Sequence, residues 1–117
     1  KITLPQFLIL DFLTREGESR MTDMAHFMHV TTAAMTGIVD RLVGYGYVAR
    51  VYHPEDRRII KIKLTAQGNA LLKKINRHRR QMVINIFGRL SEADRQDYLR
   101  ILLQIKEIFT KEDSGSK

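Results

Sequence analysis

Apolar positions in this chain recur mostly at three- and four-residue spacing, the signature of amphipathic helices; one stretch alternates at period two, as a strand does. Phe7, Leu8, Leu10, Phe12 and Leu13 follow Thr3 and Pro5 and precede Gly17. Thr3 with Gln6 fits a capping box and proline suits a first helical turn, so a helix is predicted over 4–15. Residues 18–20, Glu-Ser-Arg, read as a short polar joint. Thr22 is expected to cap a second short helix ending near His29. A third is predicted from Thr32, with Met35, Ile38, Val39 and Leu42 inward and Gly44 and Gly46 ending it.

Two short helices joined by so tight a turn make a helix-turn-helix. The outward positions of the second are small or polar: Thr31, Thr32, Ala33, Thr36, Gly37, Asp40 and Arg41. A helix that enters a DNA major groove needs a slim leading end and hydroxyls that reach phosphates and base edges. The competing reading is an ordinary surface helix whose threonines serve as caps.

The next stretch favours DNA. Residues 47–52, YVARVY, read as a strand, and 59–64, IIKIKL, alternate so that Ile60, Ile62 and Leu64 share one face and Lys61 and Lys63 the other. A β-hairpin directly after a helix-turn-helix is a wing, and Pro54 to Arg58 form its tip. Asp56 can pair with a neighbouring arginine and stiffen that tip; the remaining guanidinium is then free for a minor groove, whose negative potential attracts it. Spacing admits either Arg57 or Arg58 as the partner. Lys61 and Lys63 are expected along phosphates.

Thr65 caps a long helix predicted to run to about Leu90, and Ser91, with Asp94 three residues on, starts the last one as a carboxylate variant of the capping box. That last helix carries Tyr98, Leu99, Ile101, Leu102, Leu103, Ile105, Ile108 and Phe109, which wrap beyond a single stripe. A helix apolar on more than one face must be covered on more than one side, and a second subunit is the economical cover. The expected fold is therefore mainly α. A winged helix-turn-helix of three helices plus a two-stranded β-hairpin (residues 1–65) leads into two C-terminal dimerisation helices (66–112) and a disordered tail (113–117).

Charge sharpens the functional reading. The chain's net charge is +7, and residues 47–80 alone hold ten Lys/Arg against two Asp/Glu. Such concentration points to a polyanionic partner, nucleic acid ahead of an anionic membrane surface. With no cysteine there is no disulfide, thiolate metal site or thiol switch. No apolar run approaches the ~18–20 residues of a membrane span and no signal-peptide pattern opens the chain, so a cytoplasmic protein is expected. No paired carboxylates, phosphate loop or nucleophile–base pair suggests an enzyme or a cofactor.

The ordered set "VDRL…GYV.R…PEDRR…LT..G", with "TLPQFLILDFL" before it and "LSEADRQDYLRILLQI" after, resembles the MarR/SlyA family of bacterial winged-helix transcription regulators across roughly residues 3–110. The resemblance implies a homodimer on a pseudo-palindromic operator and regulation by a small aromatic or lipophilic ligand bound between the winged module and the dimer helices. It assigns Thr31, Thr32, Ala33 and Thr36 to the leading half of the recognition helix and Arg41 to phosphate. It makes Asp56 the wing's brace and Arg57 and Arg58 its tip, with Arg58 expected in the minor groove. The family usually carries a further dimerisation helix ahead of the first one here, and this sequence, which starts at Lys1, does not include it; were that helix absent from the whole protein, dimer stability would suffer while the DNA-binding module would not. Members that sense oxidants use cysteine, which this sequence lacks.

Two rival readings remain. His26 and His29, three apart, have a workable metal-ligand spacing, with His53 and His78 as further candidates, yet exposed or packed histidines are commoner than ligands. Met21, Met24, Met28 and Met35 suit an adaptable pocket, although methionine at helical spacing is more often core. A winged helix can also serve as a protein- or RNA-interaction module, which leaves the arginine-rich tip unexplained unless the partner is acidic.

Overall fold

The computed structural model describes residues 1–115, with side-chain burial for 1–112. Elements follow in the order α1 (Leu4–Glu16), β1 (Ser19–Arg20), α2 (Met21–Met28), α3 (Thr32–Gly44), β2 (Val48–Tyr52), β3 (Ile60–Leu64), α4 (Ala66–Phe87) and α5 (Glu92–Gly115). The fold is mainly helical, with a small antiparallel sheet. The chain divides into a first compact unit through Arg77 and a second from His78.

In the first unit, α1 opens on the expected capping box. The Gln6 N–H donates to Thr3 Oγ1 (3.3 Å) and the Thr3 N–H to Gln6 Oε1 (3.0 Å). Gly17, at φ 78°, ends the helix in a backbone conformation that glycine adopts without strain. Ile9, Leu10, Met24, Met35, Val39, Leu42, Val48 and Ile62 then interlock as a fully buried core drawn from α1, α2, α3 and the sheet. Four of the five methionines belong to it: Met24 and Met35 lie inside and Met21 and Met28 pack against it.

Two local expectations give way. Residues 19–20 are an edge strand, β1, pairing Ser19 with Ile62 and Arg20 with Lys61, so the sheet has three strands in the order β1-β3-β2 rather than two. Because β1 runs directly into α2, the cap falls on Arg20, which makes no side-chain capping bond; Thr22 lies inside the helix. The β2–β3 hairpin keeps the expected alternation, with Ile62 buried, Lys63 exposed and Lys61 half-buried.

The start of α4 is tied to the turn after α3. Thr65 donates its hydroxyl to the Gly46 carbonyl (2.7 Å) and its N–H to the Tyr47 carbonyl (3.1 Å), while Thr65 Oγ1 accepts the Gly68 N–H (3.0 Å). Gly68 sits so close that a Cβ there would lie 2.1 Å from the Tyr47 carbonyl oxygen. Backbone cannot yield as a flexible side chain does, so only glycine fits.

The second unit holds the end of α4 and all of α5. Ser91 Oγ accepts the Asp94 N–H (3.1 Å), so α5 has the expected N-cap. Arg95, which the pattern did not single out, donates to the Phe87 and Leu90 carbonyls (3.0 and 2.7 Å) and so caps the C-terminus of α4. Phe87 and Tyr98 meet across the corner, ring centres 5.0 Å apart. Helix α5 reaches Gly115, past the point where the tail was expected to begin; residues 116 and 117 lie outside those described.

Candidate nucleic-acid interface

Helix α3 presents its leading end because α2 stops sharply. His29 takes the left-handed conformation (φ 56°), and Val30 N–H reaches back to the Ala25 carbonyl (3.0 Å). Thr31 is the N-cap, its Oγ1 accepting the Ala34 N–H at 3.1 Å. That satisfies one orphan donor of the first turn and leaves the hydroxyl hydrogen free to donate. Thr32 and Ala33 are exposed beside it. Thr36 is half-buried and gives its hydroxyl hydrogen to the Thr32 carbonyl (2.9 Å), so it offers lone pairs and a methyl rather than a free donor. Arg41 is exposed on the far half of the helix.

The helix is also anchored to the sheet. Asp40 on α3 pairs with Arg50 on β2. Arg50 follows Val48 at period two and so lies on the core-facing side of its strand, where Asp40 meets it. This link was missed in the sequence, although an arginine in the inward register of a strand is itself a signal that a carboxylate waits opposite.

The wing tip is a tight structure. Its base closes with His53 N–H to the Ile59 carbonyl and Ile59 N–H to the Asp56 carbonyl, both 3.0 Å, and His53 Nδ1 accepts the Glu55 N–H (3.2 Å). Asp56 takes three bonds from one residue, all 3.0 Å: the Arg58 N–H and Nε–H on Oδ1, and the Nη2–H on Oδ2. This fork pushes the Asp56 carboxyl below its ordinary range, the side-chain bond first and the backbone bond second, and raises the Arg58 guanidinium. The division of labour expected at the tip, one arginine bracing and the other inserting, is thus corrected: Arg58, expected in the minor groove, is also the braced residue. Its side chain nevertheless stays 91% exposed. Arg57 is exposed and, among the described residues, has no hydrogen-bond or ion-pair partner.

Helix and wing meet over a hollow of about 450 Å³ lined by Thr32 and Thr36 of α3, Met21 and Thr22 of α2, Arg20, Arg50 and the tip residues Arg58, Ile59 and Ile60. Three arginines and three threonines therefore border one concave surface. Arg20 and Arg50 join the residues singled out from the sequence; Arg41 and Arg57 do not line it. Lys61 and Lys63 occupy the face of β3 opposite Ile62, with Arg20 in register beside Lys61.

Among the described residues no three His, Asp or Glu side chains gather as a metal site. His26 lies exposed in the last turn of α2 and His29 forms its cap. No helix among them is long and apolar enough to cross a membrane.

Comparison with known proteins agrees with this geometry. The sequence model of the MarR family matches residues 2–60. The HTH-type transcriptional regulator YpoP of Bacillus subtilis (strain 168) is 29% identical over 108 residues, covering 92% of this chain and 72% of its own length. The HTH-type transcriptional repressor YetL of the same organism is 29% identical over 97 residues, covering 83% of this chain and 58% of its own. Among solved structures, RV1404 from Mycobacterium tuberculosis superimposes with a TM-score of 0.83 at 31% identity, over 94% of this chain and 75% of that one.

Proposed function

From the premise that this chain belongs to the MarR family, whose transcription regulators bind DNA and are not enzymes, we propose that it represses transcription as a homodimer on a pseudo-palindromic operator in the bacterial cytoplasm. The observation that carries this reading is the shared concave surface. The leading end of α3, with Thr32 and Thr36, and the braced, outward guanidinium of Arg58 face the same hollow. A helix in the major groove and a wing in the adjoining minor groove require that juxtaposition. Thr31, Thr32, Ala33 and Thr36 then meet base edges and sugar-phosphate, Arg41 meets phosphate, and Lys61 and Lys63 add phosphate attraction along the wing.

Held by Asp56, Arg58 enters the groove with its orientation already fixed, so less side-chain entropy is lost on binding. Arg57 supplies a second, mobile cation at the tip. The homodimer reading is supported by the second unit, where Met82, Val83, Ile86, Leu102, Ile105 and Phe109 are all exposed in the single chain. Two copies place two recognition helices about one helical turn (~34 Å) apart. A small aromatic or lipophilic ligand that prefers one spacing of the two modules shifts operator affinity by its differential binding to the two states.

Selection from randomised duplex DNA at near-physiological salt tests this directly. An enriched inverted repeat is the expected result. Recovery of no sequence, with binding that vanishes as salt rises, would leave only a basic surface and overturn the reading.

A further inference from the structure

We propose that Gly37, in the middle of α3, is a specificity-determining position: its missing side chain lets the duplex seat against the helix. This rests on the DNA-binding reading above and deepens it. Glycine within a helix loses more backbone freedom on folding than any other residue and is less favourable there than alanine. Where a neighbour presses against the backbone, that loss has an internal reason, and Gly68 against the Tyr47 carbonyl is such a case. Gly37 has none. A Cβ built on it meets nothing within 4 Å, its φ lies outside the left-handed range, and the residue is exposed.

The fold therefore gains nothing from glycine at 37 and has open space for a Cβ there. What stands to gain is a molecule outside the chain that needs the space. Gly37 directly follows Thr36, which lines the hollow shared with Arg58, and lies one turn before Arg41. It is on the side of α3 away from the buried Met35, Val39 and Leu42. In the proposed complex that side faces the floor of the major groove, where an approach closer by one side chain decides which base edges Thr32, Ala33 and Thr36 reach.

The test uses Gly37→Ala and Gly37→Gln in the full chain, with the duplex enriched by selection and an unrelated duplex of equal length. Both replacements are better helix formers than glycine, so the melting temperature should rise or hold. Operator affinity should fall about tenfold for alanine and further for glutamine, with affinity for the unrelated duplex unchanged. A gain in folding stability paired with a sequence-specific loss of binding is a result that structural damage does not produce. Operator affinity equal to that of the unaltered chain, or an equal loss on both duplexes, would overturn the proposal. Failure of the unaltered chain to select any duplex is a separate outcome; it overturns the DNA-binding reading before either variant is compared.

Discussion

The two units of this chain carry the same kind of apolar periodicity and use it in opposite ways. In the first, Ile9, Leu10, Met35, Val39, Leu42 and Ile62 have no exposed surface, because three helices and a sheet converge on them. In the second, Phe87 is half-buried and every other described side chain is exposed, including Leu99, Leu103 and Phe109. Helix geometry puts Tyr98, Leu102, Ile105 and Phe109 on one side of α5 and turns Leu99 and Leu103 about a quarter-circle away. Hydrophobic spacing thus reports that a residue seeks cover, and only the tertiary fold shows whether the same chain provides it. The first unit is a core; the second is surface awaiting one.

The contrast can be broken at its strongest point by Leu10→Ala. This removes a fully buried side chain and should cost about 2–5 kcal/mol, read as a lower urea midpoint of the winged module. A loss under about 0.5 kcal/mol would mean the core is looser than it looks. Ile105→Lys asks the reverse question. On a lone chain it is a surface change worth about 0.5 kcal/mol or less, but at a subunit interface a buried cation should weaken the dimer by about 2–4 kcal/mol. Sedimentation as a monomer is expected, with the fold intact by circular dichroism. An unchanged dimer would place the interface elsewhere.

The wing tip is the exception within the first unit, exposed yet ordered, and it sharpens the contrast further. Arg58→Ala should weaken operator binding by about 1–3 kcal/mol with a loss of discrimination against mismatched half-sites, whereas Arg57→Ala should weaken all duplexes alike. The opposite pattern would assign groove insertion to Arg57. The smallest effect concerns pH. Because the folded Asp56 carboxyl is held below its ordinary value, its brace is fully present above the ordinary aspartate range, about pH 3.9, and is lost only as pH falls through the lowered value. An Arg58 Nε–H resonance unchanged from pH 7 to 5 is the expected NMR signature; its loss within that window would show that no such brace exists.

Long periodic segments were legible in the sequence because their signal is repeated many times: the five helices and both hairpin strands lie within a few residues of expectation. What escaped was set by single contacts. Two residues, Ser19 and Arg20, carry no period, and only the edge of β3 makes them a strand. Thr22 looked like a cap until β1 claimed the residues before it. Arg57 and Arg58 are equally near Asp56 in sequence; the turn decides, since it also brings the Arg58 N–H onto the same carboxylate. The motif that ends in Thr65 and Gly68 was visible as a pattern, but its reason is the Tyr47 carbonyl, eighteen residues before Thr65 and twenty-one before Gly68, which meets both. Arg50 shows the same limit in milder form: its inward register on β2 signals a carboxylate opposite, but only the packing of α3 on the sheet makes that carboxylate Asp40.

That Thr65 anchorage has a mechanical consequence. A helix joined to a module by a floppy linker swivels without disturbing it, whereas α4 enters this one as a clamped beam. Thr65, which leads into it, is bonded to Gly46 and Tyr47, two of the three residues that carry the chain from α3 into the sheet. With no slack residue between them and no room at Gly68 for the contact to slip, a twist applied to the first turns of α4 is delivered as torque to the trailing end of α3 rather than absorbed on the way.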